Sequence, residues 1–197
     1  MRRGLMRWNA EELPVATLEA RLAHLRAAMA EAGMDGFVIY TNNTRPAAAA
    51  YVTGFTPYWS DGLMLVPRTG APVFATALSK RVSEWIKATD PLSEIVNTPK
   101  PGALMGERLS KDVSVKRVGV LEYDTLPAGL ADDMATAAPS VEWADGTALF
   151  AGLRREIDQS ERGLLARADA MAVAALREAE AGKANHEIGR ASCRERV

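Results

Sequence analysis

The chain has 197 residues, with 24 Lys and Arg against 25 Asp and Glu, one cysteine, 48% hydrophobic and 25% charged residues. That is ordinary globular composition, long enough for one buried core plus an appendage, and it argues against a disordered chain. A net charge of −1 gives no reason to expect nucleic acid or an anionic membrane as partner, one cysteine excludes an internal disulfide, and no apolar run approaches a membrane span. The first residues are charged and carry no apolar segment of a secretory signal, so a cytoplasmic location is expected.

Residues 1–15 show no period, and Pro14 closes them. Leu18, Leu22, Leu25 and Met29 then recur at helical spacing, and Gly33 supplies a stop. Gly36 to Thr41 is a short apolar run that reads as a strand buried on both faces, as in a parallel sheet. A polar loop, Asn42 to Pro46, leads to a short helix over Pro46–Tyr51. Gly62–Val66 and Pro72–Thr76 flank a Gly70-containing turn and predict a hairpin. A helix is expected over Leu78–Lys87, a weak edge strand over Ser93–Thr98, and a helix from Pro101 to about Ser110.

Lys116 to Glu122 reads as another core strand, and Leu126–Ala138 as a helix with Pro127 in its first turn. Ser140–Ala144 is a last short strand. A short helix from Thr147 to about Arg154 follows, then a long one from Ser160 to about Gly182. About six strands with helices between them specify one α/β domain to near residue 146. On the last helix Leu164, Leu165, Ala168, Met171, Ala172 and Ala175 form an apolar stripe, expected to face a core that later residues would supply.

Ile188–Val197 holds the only cysteine and has neither hydrophobic period nor capping residues. Back-translated, it resembles read-through of a sequencing adapter whose next codon is a stop. It is set aside as an adapter-derived scar, and the natural chain is expected to continue beyond it.

Phosphate-binding loops of the G-x-x-x-x-G-K-[ST] and G-x-G-x-x-G types are absent, as is a G-x-S-x-G elbow. His24 and His186 are the only histidines, too few for a triad or a histidine-rich metal site within this chain, and His24 falls on the solvent side of the first helix. Asp132-Asp133 and Glu11-Glu12 are sequence neighbours that do not share a helix face. Asp124 follows a strand, where a turn role is the simpler reading.

Several short segments carry information together. They are Arg21 with Leu25-Arg26, then Gly33-Met34-Asp35-Gly36-Phe37-Val38-Ile39, then Tyr51-Val52-Thr53-Gly54-Phe55, then Arg117-Val118-Gly119-Val120, and the junction Leu149 to Glu161. In this order and spacing, over about residues 15–187, the chain resembles the N-terminal domain of the creatinase/prolidase/aminopeptidase P family. The resemblance implies a ribonuclease-H-like α/β fold, a mixed sheet with flanking helices over residues 16–146. Residues 147–187 would then be the linker and first helix of a pita-bread catalytic domain that this chain lacks.

In that family the catalytic domain holds the chemistry. Peptidase members use two divalent metal ions, such as manganese, held by two Asp, one His and two Glu, and a metal-bound hydroxide attacks the peptide carbonyl. None of those positions falls within this chain, so no catalytic residue and no metal ligand is carried over. The resemblance implies instead a homodimer in which this domain restricts what enters the partner subunit's site. The substrate would be a small peptide, or an amidine-type compound in a creatinase-like parent. Candidate gating residues are Tyr58, Trp59 and Asp61, in the loop after the Tyr-x-x-Gly turn, and Arg45, which could meet a substrate carboxylate. For Trp59, packing under the hairpin is the structural alternative. A non-catalytic peptide- or protein-binding module of the same fold is the alternative reading of the whole.

Overall fold

The computed structural model describes residues 9–56 and 61–184. Its elements, in chain order, are α1 (Val15–Glu31), β1 (Gly36–Thr41), α2 (Ala47–Thr53), β2 (Gly62–Pro67), β3 (Val73–Thr76), α3 (Ser83–Lys87), β4 (Glu94–Asn97), α4 (Pro101–Ser110), β5 (Arg117–Val120), α5 (Ala128–Ala137), β6 (Glu142–Asp145), α6 (Thr147–Leu153) and α7 (Gln159–Ala184). The chain divides into two compact units, Met1–Glu156 and Ile157–Val197.

In the first unit six strands form one mixed sheet in the order β4-β3-β2-β1-β5-β6. β2 pairs antiparallel with both β1 and β3, while β1–β5, β5–β6 and β3–β4 are parallel. The α/β fold with a mixed sheet and flanking helices is therefore present as the sequence implies. The expectation of a parallel setting for β1 holds on one side only. The chain turns back through β2 on the other side, and burial of β1 on both faces comes from helices above and below.

Side chains alternate along each strand, as a pleat requires. Phe37, Ile39, Met64, Val66 and Phe74 face one way and pack with Leu22, Leu25 and Met29 of α1, with α2, and with Phe150 of α6. Val38, Leu63, Leu65, Val73, Ala75, Val118 and Val120 face the other way, against Met105 and Leu109 of α4 and Met134 of α5. The helical spacing read in α1 is thus the buried stripe: Leu18, Leu25 and Met29 are fully buried.

The motif residues turn out to be fasteners of this layer structure. The Tyr51 ring, near the end of α2, lies under the guanidinium groups of Arg21 and Arg154, 4.5 Å and 4.3 Å from its centroid. It meets Phe150 edge-on at 5.9 Å. Arg21 also donates to the Tyr51 carbonyl at 3.0 Å, and Arg26 donates through Nε to the Pro67 carbonyl at 3.0 Å. Gly119 stands beside Phe37 in the β1–β5 ladder. A Cβ there would lie 2.6 Å from Met34 Sδ and 2.9 Å from the Phe37 ring, so only glycine fits.

Several boundaries differ from the sequence reading. Leu78–Lys87 is not one helix: Ser79 accepts the Arg81 N–H and caps a 3₁₀ turn, Lys80–Val82, before the short α3. β5 stops at Val120 rather than Glu122, because Glu122 adopts a left-handed conformation at φ 51° and a 3₁₀ turn over Tyr123–Thr125 follows. Pro127 precedes α5 as its N-cap, with Leu126 extended. The hairpin between β2 and β3 forms as expected, with Gly70 at φ 85°. In the second unit, α7 carries Leu165 and Met171 exposed at 53% and 65%.

Asp35 joins the start of β1 to the start of β5. Its Oδ2 accepts the N–H groups of Lys116 at 2.7 Å and Arg117 at 2.9 Å, and Oδ1 pairs with Arg68 at 2.8 Å. Burial works against its ionisation, but those N–H groups and the Arg68 charge outweigh it and hold the carboxyl below its ordinary range. Its contribution to stability is therefore present above the unfolded value near 3.8 and is lost as pH falls through the lower folded value. Asp35→Asn should cost about 1–3 kcal/mol in urea unfolding at neutral pH, with the deficit shrinking under acid. A pH-independent deficit would show that the carboxylate charge is not what Asp35 contributes.

Candidate functional site

β1, β5 and β6 run parallel, so their C-terminal ends reach the same edge of the sheet. The chain leaves β1 toward β2 and later returns on the other side through β5. Crevices formed where a sheet's connections diverge in this way are where α/β folds collect polar sites.

Here the loop after β1 is set by Asn42. Its Oδ1 accepts the N–H groups of Thr44 and Arg45 at 2.9 and 3.0 Å, while Thr41 Oγ1 donates to the Arg45 carbonyl at 2.9 Å. Arg45 is thereby aimed across the edge at the segment after β5. Its Nη1 donates to Thr125 Oγ1 at 2.6 Å and pairs with Glu122 Oε2 at 3.2 Å. Glu122 is held in turn: its N–H donates to Thr147 Oγ1 at 2.8 Å and its carbonyl accepts from Thr125. Both partners of the Arg45–Glu122 pair are more than a third exposed, so the pair is worth at most about 1 kcal/mol.

On the β2 side, the β1–β2 register sets Thr41 opposite Gly62 and brings Asp61 beside Tyr40. The Tyr40 hydroxyl donates to Asp61 Oδ1 at 2.5 Å and accepts from Asn42 Nδ2 at 3.0 Å. Burial, the hydrogen bond to Asp61 and the charge of that carboxylate push the phenol up, so Tyr40 remains a protonated donor at neutral pH. Asn42 therefore links the two halves of the edge, contacting Tyr40 with its amide nitrogen and the Arg45 backbone with its oxygen.

Of the four gating candidates, Arg45 and Asp61 lie at this one edge, joined through Asn42 and Tyr40. Tyr58 and Trp59 lie outside the described residues. Tyr40 and Glu122 complete the cluster and were not singled out from the sequence. A tyrosine next to the end of a strand, followed by two asparagines, is the only signal that pointed there. His24 is exposed on α1, and Asp124, Asp132 and Asp133 are exposed, all consistent with solvated roles.

The cluster can orient a polar ligand by hydrogen bonds and charge. Among the described residues no three of His, Cys, Asp and Glu converge on a position that could hold a metal ion. The residues present do not fit a dinuclear metal centre, and no metal-assisted step can be derived from them.

Glu122 is the only non-glycine residue at positive φ among those described. That conformation costs about 1–2 kcal/mol for an L-residue. Glu122→Gly should leave stability within about 1 kcal/mol of the parent, strain relief offsetting the lost surface pair. Glu122→Val should cost at least about 1–3 kcal/mol by urea unfolding. Equal tolerance of Val and Gly would contradict the strain.

Comparison with known proteins follows the same lines. A family model of the Creatinase/Prolidase N-terminal domain matches residues 21–155. The Xaa-Pro aminopeptidase of Streptococcus thermophilus is similar in structure, with TM-score 0.57, 14% identity, and coverage of 70% of this chain and 98% of that one. The N-terminal domain of the cytoplasmic peptidase PepQ from Mycobacterium tuberculosis H37Rv has TM-score 0.55 and 23% identity, covering 68% and 98%. An Xaa-Pro dipeptidase from Bacillus anthracis has TM-score 0.59 and 23% identity over 74% of this chain but only 38% of its own. No curated protein sequence matches. No helix among the described residues is long and apolar enough to cross a membrane. The matched span takes in the Arg21, Tyr51 and Arg154 contact and the polar edge of the sheet, and by that match the chain belongs to the Creatinase/Prolidase N-terminal domain family.

Proposed function

We propose that this chain is the dimerisation and substrate-gating domain of an Xaa-Pro aminopeptidase- or prolidase-like metallohydrolase. The family match over residues 21–155 carries the reading. In it, residues 16–146 are the gating domain, residues 147–187 lead toward a catalytic domain, and Ile188–Val197 is not natural sequence. Two divalent metal ions, such as manganese, would belong to the catalytic domain, and the substrate would be a small peptide ending in or containing proline. A cytoplasmic setting fits the PepQ relative, whose name gives it that location.

The domain's own contribution is recognition. Arg45 offers a guanidinium to a peptide carboxylate, provided the ligand competes with Glu122 for it. Asp61 offers a carboxylate to a peptide amine, with Tyr40 holding one of its oxygens. Tyr58 and Trp59 add rigid aromatic contact area at low entropic cost.

Purified chain incubated with Xaa-Pro dipeptides and Mn²⁺ should show no hydrolysis, and turnover would place a catalytic apparatus in this chain after all. The gating assignment is tested on the same material. Trp59→Ala should change unfolding stability by no more than about 0.5 kcal/mol if Trp59 serves a ligand. A loss of about 3–5 kcal/mol would instead make it a core residue beneath the hairpin.

A further inference from the structure

Glu122 has a left-handed backbone, at φ 51°, that glycine would adopt without strain. Two hydroxyls hold it there, and each both accepts and donates. Thr147 Oγ1 accepts the Glu122 N–H at 2.8 Å and donates to Asp145 Oδ1 at 2.5 Å. Thr125 Oγ1 donates to the Glu122 carbonyl at 2.9 Å and accepts from Arg45 Nη1 at 2.6 Å. The Glu122 backbone is therefore fixed without help from its own side chain. That side chain is 51% exposed, and among the described residues its carboxylate meets only Arg45, with Oε2 at 3.2 Å from Nη1.

Stability does not account for a glutamate in this place. An exposed ion pair adds no more to the fold than a left-handed backbone takes away. Nor is the carboxylate needed to position Arg45. The Arg45 N–H is anchored on Asn42 Oδ1 at 3.0 Å, and Nη1 is anchored on the Thr125 hydroxyl. Both anchors are neutral. What the Glu122 carboxylate alone supplies is charge, set against a guanidinium that the loop after β1 has already aimed.

We propose that Glu122 is a built-in counter-ion of the polar edge: it stands in for a ligand's carboxylate and weakens the hold of Arg45 on free carboxylates. The proposal rests on the reading of Arg45 as a contact for a peptide carboxylate. An incoming carboxylate then meets a cation that is already paired, and it is repelled by Glu122 until that side chain swings away. The exposed side chain is free to swing into solvent while Thr147 and Thr125 keep its backbone in place. Charge alone is thus a poor ticket to this edge, and a ligand gains entry through further contacts, such as that of its amine with Asp61. Glu122 is in this sense a specificity residue, acting on the ligand's charge and not on its shape.

The test titrates the full chain with glycyl-proline and with glycyl-prolinamide, which lacks the carboxylate, and follows the Arg45 Nε–Hε resonance by NMR. Glu122→Gln keeps the side chain's shape and removes its charge. Glu122→Gly removes the carboxylate and the backbone strain together, and serves if the glutamine variant does not fold. Both variants should bind glycyl-proline more tightly than the native chain, by up to about fivefold, the limit set by an exposed pair. The amide should bind the native chain and both variants equally, and Arg45→Gln should abolish the preference for the free carboxylate.

Equal affinity of the native chain and both variants for glycyl-proline, or an equal gain for the amide, would overturn the proposal. If binding depends on the carboxylate and ignores Glu122, Arg45 stands as the contact and only the counter-ion role falls. If no form of the chain shows a carboxylate-dependent shift at Arg45, the contact itself falls and the counter-ion role with it.

Discussion

The first unit depends on one aromatic ring. Tyr51 carries two guanidinium groups over its ring and Phe150 at its edge, and its carbonyl accepts from Arg21. A buried cation needs both a π face or counter-charge and hydrogen-bond acceptors, and Tyr51 supplies a face and an acceptor to Arg21, which is only 6% exposed. Three elements far apart in the chain, α1, α2 and α6, are brought together at this point. Phe150 also stacks with Phe37 at 6.1 Å, so the same contact closes one face of the sheet. With Phe37 fixed there, β5 can approach only because position 119 is glycine.

The polar edge follows from that arrangement. Closing the helical layer over one face sets α2 against the start of the sheet, and the loop joining β1 to α2 then has one direction to run. Asn42 fixes that loop, Arg45 reaches the segment after β5, and Tyr40 reaches Asp61 at the start of β2. What results is a rim of donors and acceptors suited to recognition, next in the chain to the start of α2.

Local signals were legible where a local rule decides structure. The spacing of Leu18, Leu22, Leu25 and Met29, the hairpin around Gly70 and the helix start at Pro101 all depend on near neighbours, and all are found. The ordered motifs identified the family because each sits at a fastening point: Asp35 at two backbone N–H groups, Gly119 under Phe37, Arg21 and Arg154 on Tyr51. What those residues do was not legible, since periodicity carries no information about which distant segments meet. Glu122 shows the same limit. Glutamate is no turn former, and its left-handed conformation is held by Thr125 in the same turn and by Thr147 from a distant segment. Arg45 and Asp61 were both singled out, but the residues that join them, Asn42 and Tyr40, emerged only with the strand register.

A double-mutant cycle between Tyr51→Leu and Arg154→Met, read by urea unfolding of the whole chain, tests the central contact most directly. Both substitutions keep apolar bulk and remove the ring face or the cation. The account predicts a coupling of about 0.5–2 kcal/mol between them, because Arg154 has its π face only when Tyr51 is present. Strict additivity would mean that the ring and the guanidinium stabilise the fold independently, and the organising role given to Tyr51 would fail.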